Sequence, residues 1–582
     1  MPGERMTDIR QAAATAGPGV SHTESRSADL KNLALLVLLV SAIYLPRLTD
    51  LSIRGEESRR GRIAWEMLET GDWIVPRVQG VPRLSRPPLQ YWTIAIAGSI
   101  RGEVDAIAVR APSVLATLLT VLLIYWYARL RSTPLAALAA ALAYATFGQV
   151  LQLGGLGETE AVFTLLMAGA LLVWHGGLLA HWPPVLLWCS AYFLAALATL
   201  AKGPQGPAYF VGAVGAYLLL TKRWRFVFSF AHLAGIAVFL AVLGAWGVPF
   251  LRELGPDGVS FVFGSEVAKR FHDRSWSTFL THLAVFPFEI LGCLLPWSLA
   301  LIPYLFPRFR MRLGAMAAPA LFTALAIAVA FPTVWLPPEA RSRYFMPLYP
   351  CFAILVGFAV QIAAEARPAF LTVHLQRILW SVLAALPLCA LAVVGLHFAG
   401  PKFALAQPVG TALLLGSLAM MSAAVLWRHR QLTEDWSQSL RFGTLGIAGL
   451  MATAYMGIAI PVLVAKSENA EAAVVRLKET LPDDATLTSF GIVNHLFSYH
   501  YAETIPLHAW PEETADVDES VEYFCFDISS ARETRPLPFP WEEVAVISCD
   551  RNHRADPREK VVIGRRLRTP DLAQRDEEHS PR

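Results

Sequence analysis

The chain has 582 residues, 55% of them hydrophobic and only 16% charged, with a mean hydropathy of +0.44. That balance excludes an ordinary soluble globular protein and fits a polytopic membrane protein. The formal net charge of +3 discriminates little and no nucleic-acid partner is expected, while the six scattered cysteines show no CxxC spacing and argue against a thiolate metal site.

In chain order, residues 1–30 are polar and rich in Ala, Ser and Gly, and are expected to form a disordered cytoplasmic tail. Lys31 to Leu48 is apolar enough to span, and without a convincing small-residue cleavage site it reads as a retained anchor. Apolar runs of about 17 to 25 residues then recur, each able to cross roughly 30 Å of hydrocarbon as a helix. They begin near Asp105, Pro134, Glu158, Pro183, Gly206, Arg225, Thr278, Gly314, Tyr344, Ile378, Gln407 and Gly443. With the anchor this predicts about 13 transmembrane helices over residues 31–465. Arg129 and Arg131, then Lys222, Arg223 and Arg225, then Arg308, Arg310 and Arg312, then Arg428 and Arg430 fall on alternate loops, which assigns that side to the cytoplasm. The loops 54–92 and 252–276, Glu158, Lys202 and everything after Lys466 then lie outside the plasma membrane.

Residues 466–566 read as a small soluble extracytoplasmic α/β domain. Ala470 to Leu481 is helical and stops at Pro482; strands are predicted at Ala485 to Phe490, Val521 to Phe526, Val544 to Ser548 and Lys560 to Gly564, with a helix at Val493 to Tyr499. Cys525 and Cys549 either pair or remain two thiols on neighbouring strands. His495 and His500 read as surface residues without a role. Residues 567–582 are charged and expected to be disordered.

The least membrane-like stretch of the first half is Arg54 to Trp92, and its arginines break the positive-inside bias. Glu57 to Glu69 has helical spacing, with Ile63, Ala64, Met67 and Leu68 as an apolar stripe, Arg62 and Glu66 as an i,i+4 pair and Gly71 as a stop. It reads as an amphipathic helix lying in the membrane interface. Glu56 and Glu57 stand at its start, where the helix dipole favours carboxylates, so they either cap the helix or do chemistry. Further on, Pro87 and Pro88 fix the backbone after Arg86, and Tyr91 and Trp92 follow at headgroup depth. A guanidinium held there suits a lipid phosphate. Glu158 and Glu160 open a span on the same side, as an N-terminal cluster or as functional carboxylates. Lys202 and Arg270 are phosphate contacts or snorkelling anchors, His272 and Asp273 beside Arg270 do not by themselves define a metal site, and Arg343 with Tyr344 is an interfacial anchor or a phosphate contact.

Taken together, these motifs resemble the aminoarabinose transferase and protein mannosyltransferase group. The resemblance rests on the acidic pair followed by Arg59, Ala64, Glu66 and Met67, on GDWIVP at Gly71 to Pro76, on Gly80, and on RPPLQYW at Arg86 to Trp92. It continues in AKGP at Ala201 to Pro204, Trp246 with Pro249, Lys269 to Phe271, Pro296 with Trp297, and RYFMPLYP at Arg343 to Pro350. It implies an α-helical polytopic membrane protein of the GT-C type. It also implies an inverting glycosyltransferase that takes a sugar from a polyprenyl-phosphate donor to a lipid, glycan or protein acceptor among the membrane lipids. Glu56, Glu57 and Glu158 would be catalytic, and Arg59, Arg86, Tyr91, Glu160, Lys202, Arg270, Arg343 and Tyr344 would bind substrate. Two departures matter. The group has Asp-Glu where this chain has Glu56 and Glu57, so the catalytic role passes by position to Glu56; and Arg86 replaces a Lys found in many relatives. No cofactor is called for, and a divalent metal stays open. The alternatives are a lipid-linked glycan flippase or transporter, against which the ionisable residues at span ends argue, and a glycan ligase or polymerase.

Overall fold

The computed structural model describes residues 22–260, 276–366, 377, 436–465, 469–528, 536–549 and 559–567. Among them seven helices are long and apolar enough to cross a membrane: Arg26–Leu48, Ala106–Arg129, Thr159–Leu179, Pro184–Lys202, Phe230–Pro256, Gly314–Trp335 and Ser342–Glu365. The pair Trp276–Cys293 and Trp297–Leu305, bent by 119°, makes up to eight if it counts as one span. The protein is a polytopic membrane protein with fewer such helices among the described residues than the 13 expected; the spans expected near Ile378 and Gln407 fall outside those residues.

Part of the difference has a physical cause. Pro134–Thr146, capped by the Thr133 side chain, has only 13 residues, about 20 Å of helix. Its apolar run is broken at Phe147, whose extended ψ of 136° starts a new short helix, Gly148–Leu153. Residues Ala136 to Ala145 are fully buried within the protein, so this stretch is apolar because neighbouring helices enclose it. It packs tightly against the helix Tyr349–Ala366: a Cβ on Gly357 would stand 2.5 Å from the Ala136 carbonyl oxygen, an approach that only glycine allows.

The C-terminal region is a five-stranded sheet with two helices, Ala470–Thr480 and His495–Tyr501. Its strands are β3 (Leu487–Phe490), β4 (Leu507–His508), β5 (Tyr523–Asp527), β6 (Trp541–Ser548) and β7 (Lys560–Arg566), following a small hairpin of β1 (Arg77–Val78) and β2 (Val81–Pro82). The order is β4-β3-β5-β7-β6, with β3 parallel to β4 and β5, and β7 antiparallel to β5 and β6. The expected α/β character is present, with β4 as an additional strand. Cys525 faces Ile563 of β7, so β7 separates it from β6 and from Cys549 just beyond. Both are buried thiols, and the expectation of a disulfide or of neighbouring strands is corrected.

Asp527 closes β5 and accepts the N–H of Asn494 at 2.9 Å. Burial pushes its carboxyl up to about 6, against the lowering effect of that hydrogen bond. The native state therefore keeps this proton to higher pH than the unfolded chain does, and the group costs stability as pH rises from about 4 to 6. We expect Asp527→Asn to melt like the parent near pH 4 and above it at pH 7, by no more than about 2 kcal/mol, checked by thermal melts across that range.

Candidate active site beneath the loop helix

The polar stretch folds as expected into a helix, Glu56–Thr70, that ends at Gly71 with a left-handed φ of 71°. It does not lie open on an interface. Ser58, Arg60, Arg62 and Glu66 are buried along with Ile63, Ala64 and Met67: Ile63 and Met67 pack on Val78 and Tyr91, Arg60 meets Gly157 and Glu158, and the C-terminal domain covers the outer face. Arg62 donates to the Ser498 carbonyl at 3.2 Å, Ser58 Oγ lies 2.9 Å from His495 Nδ1, and a Cβ on Gly61 would meet the Tyr499 ring at 2.5 Å. His495 is thus part of the docking contact and His500 is half-buried, its imidazole pushed down by burial; the expectation that both are idle surface residues is corrected.

The segment after the helix is braced at each step. Asp72 accepts the N–H groups of Ile74 and Val75 at 2.9 and 3.1 Å, while the Trp92 and Trp246 indoles donate to the Trp73 and Ile74 carbonyls at 2.7 and 3.0 Å. Gln79 and Gly80 take φ of 51° and 75°, the mirror-image turn that suits a two-residue hairpin loop. Glu66 accepts both of their N–H groups, at 2.5 and 3.2 Å. The Gln79 side chain then donates to Ser489 Oγ at 2.8 Å and accepts from the Val493 N–H at 3.0 Å. This places Pro87 and Pro88 so that the helix Leu89–Arg101 starts beside the loop helix.

The two adjacent glutamates part company. Glu56 pairs with Arg59 and keeps a 26% exposed side chain. Glu57 is 1% exposed and takes Arg110 Nε and Nη2 at 2.9 and 3.0 Å and the Gly157 N–H at 2.7 Å. Burial pushes the Glu57 carboxyl up, but Arg110 and that N–H outweigh it and hold it below the usual range. With both oxygens engaged, Glu57 is a structural tie, and its expected catalytic role is corrected. Arg110, which also donates to the Leu51 carbonyl at 2.7 Å, was not anticipated; its signal is a lone guanidinium inside an apolar span, which demands a counter-charge.

Next to Glu56 lies a cluster of buried charges. Glu158 occupies the N-cap position of Thr159–Leu179, but its side chain makes no capping bond; Arg60 Nη1 stands 2.9 Å from its Oε2. Glu160 Oε1 is 3.2 Å from Lys202 Nζ, and Arg343 spans the two carboxylates at 4.0 and 3.8 Å. Lys202 also sits 5.1 Å from the Tyr344 ring centroid. Arg86 acts electrostatically on both Glu160 and Lys202. Tyr91 packs on Ile63 and Met67, beside Arg59 and Arg60 of the same helix. Burial lowers Arg59 to about 10, still charged at neutral pH; at Arg60 burial also lowers, but Glu158 and Glu160 carry it above its ordinary value.

Glu56, Arg59, Arg86, Tyr91, Glu158, Glu160, Lys202, Arg343 and Tyr344 therefore share one neighbourhood, whereas Arg270, with His272 and Asp273, lies outside the described residues. Arg60 was missed, though it stands one turn before Ala64 and two turns before Met67 on the buried stripe, where a cation needs a partner. Cations outnumber carboxylates here, which suits an anionic ligand. Among the described residues no three His, Cys, Asp or Glu side chains converge to hold a metal.

Residues 85–247 match the family described as dolichyl-phosphate-mannose-protein mannosyltransferase. An undecaprenyl phosphate-alpha-4-amino-4-deoxy-L-arabinose arabinosyl transferase of Pseudomonas aeruginosa is 32% identical over 342 residues, covering 56% of this chain and 59% of the relative. One of Edwardsiella ictaluri is 32% identical over 275 residues, covering 46% and 48%. The chain thus matches between about half and three fifths of the length of these curated relatives. The crystal structure of ArnT from Cupriavidus metallidurans bound to undecaprenyl phosphate superposes with a TM-score of 0.70 at 18% identity, covering 91% of this chain and 97% of ArnT. The chain has the fold of ArnT. The apo form of ArnT superposes with a TM-score of 0.67. The ArnT fold explains why charges from four separated segments meet under one loop helix, and the match over 85–247 contains Arg86, Glu158, Glu160 and Lys202.

Proposed function

We propose that this protein is an inverting glycosyltransferase of the plasma membrane that moves a sugar from a polyprenyl-phosphate donor to a lipid, glycan or protein acceptor on the extracytoplasmic face. The observation that carries the reading is the cation-rich cluster of Arg60, Arg86, Lys202 and Arg343 around Glu158 and Glu160, beside the accessible carboxylate of Glu56. The names of the relatives, and the undecaprenyl phosphate bound in the ArnT crystal structure, support undecaprenyl phosphate as the lipid carrier. In this reading the amino terminus is cytoplasmic and the C-terminal domain lies outside, over the loop helix.

The acceptor oxygen attacks the anomeric carbon as the bond from that carbon to the phosphate oxygen breaks, and the carrier phosphate departs with the electron pair. Arg86 and Lys202 neutralise the charge gathering on it. When the acceptor is a hydroxyl, Glu56 takes its proton as general base; when it is a phosphate oxygen, already deprotonated, Glu56 orients it through Arg59. Arg60 keeps Glu158 in place. Purified protein in lipid discs, given labelled undecaprenyl-phosphate arabinose and lipid A, should release undecaprenyl phosphate and label the acceptor, with Arg86→Ala slowing release about a hundredfold. Movement of the labelled lipid across vesicles without release would overturn the reading in favour of a flippase.

A further inference from the structure

Gln90 is 2% exposed, and neither its Nε2 nor its Oε1 has a hydrogen-bond partner among the described residues. A buried amide with nothing to bond is strongly unfavourable and in a native protein calls for a reason. Its surroundings supply one. Leu89, just before it, packs in the cluster that holds Phe163 and Ala201, and Tyr91, just after it, packs on the loop helix at Ile63 and Met67. Ile94, one turn later on the same face, lies in the cluster of Ala64 and Val109. Gln90 therefore faces the seam between the loop helix and the spans. Helical side chains lean toward the helix N-terminus, which puts its amide on the side of the Arg86–Pro88 turn, and Leu89 beside it packs on Phe163 and Ala201, within three residues of Glu160 and Lys202 along the chain. Across that cluster Gln205 Nε2 bonds the Tyr344 carbonyl at 3.4 Å, while Gln205 Oε1 is also buried without a partner.

The chemistry of the group narrows its ligand. A phosphate offers acceptors only and is met by Arg86 and Lys202, whereas an amide offers donors on one atom and an acceptor on the other, the complement of a hydroxyl. We propose that Gln90 binds a hydroxyl of the transferred sugar and is a specificity-determining residue of this chain. The inference rests on the glycosyltransferase reading above and names the part of the donor that this side chain touches.

Two ligands separate the sugar from the phosphate: undecaprenyl-phosphate arabinose and undecaprenyl phosphate alone, titrated onto the full-length protein in lipid discs. Gln90→Leu and the volume-conserving Gln90→Met should bind the sugar-bearing lipid about tenfold more weakly, bind undecaprenyl phosphate as the parent does, and melt at the parent temperature or above it. Equal weakening of both ligands, no weakening of either, or a lower melting temperature in both variants would overturn the assignment. Arg86→Ala separates the two proposals. If it loses undecaprenyl phosphate while Gln90→Met is silent, the transferase reading stands and only the role of Gln90 falls; if it binds undecaprenyl phosphate normally, the donor site itself is misassigned.

Discussion

Glu57→Gln is expected to cost this protein its fold, and Glu56→Gln, one residue earlier, to spare the fold and remove the activity. The Glu57 carboxylate is the hydrogen-bonded counter-charge of Arg110, itself 0% exposed, and among the described residues the other hydrogen bonds of that guanidinium go to the Arg47, Leu48, Leu51 and Ser52 carbonyls. Removing one partner of such a pair strands the other charge, at a cost of about 3–5 kcal/mol, a large share of a typical protein's stability. The glutamine oxygen can still accept the Gly157 N–H, but its NH2 would face Arg110 Nη2, donor against donor. Glu56→Gln breaks only a partly exposed pair with Arg59, worth roughly 0–1 kcal/mol, and should slow sugar transfer to a hydroxyl acceptor by about 10²–10⁴. Size-exclusion profiles and melts report the first effect, and release of undecaprenyl phosphate reports the second. A monodisperse Glu57→Gln protein with parental melting would show that the Arg110 tie is dispensable, and a Glu56→Gln protein with parental turnover would remove Glu56 from the mechanism.

The second large effect is expected at Lys202. Lys202→Met leaves Glu160, 3% exposed, with Arg343, 3.8 Å away, as its remaining ion-pair partner among the described residues. The variant should lose stability for the reason given for Glu57 and lose activity by about 10²–10³ through the missing positive charge at the departing phosphate. Adding Glu160→Gln separates the two. The double variant no longer buries a stranded carboxylate, so its melting temperature should recover while its turnover stays low. Recovery of both would make Lys202 a partner of Glu160 with no hand in the reaction, and recovery of neither would mean that the pair is held for packing alone.

The membrane class was legible in bulk composition, and the site was legible in short motifs because Arg86, Glu158 and Lys202 each interrupt an apolar pattern at a span end. What sequence could not resolve follows from geometry. Glu56 and Glu57 are neighbours in a helix and therefore point about 100° apart, so one meets the cluster and the other a buried arginine 53 residues away. Arg60 belongs to the site only because Glu158, far along the chain, stands 2.9 Å from it. The span expected at Pro134 is instead the 13-residue buried helix Pro134–Thr146, because hydropathy cannot distinguish a helix wrapped in lipid from one wrapped in protein. The interface reading of the loop helix failed for a related reason, since the domain that covers it is encoded more than 400 residues later.

That distance has a consequence for biosynthesis. The Gln79 amide, which fixes the hairpin leading to Arg86, takes its partners at Ser489 and Val493, up to 414 positions downstream. At roughly 5–20 residues per second, about 20 to 80 seconds separate the synthesis of the two sides of this bond. During that interval the loop helix has no roof, so Gln79 has been made without the partners that hold the hairpin. Completion of the last domain, and not insertion of the spans, would then be the event that completes the candidate site.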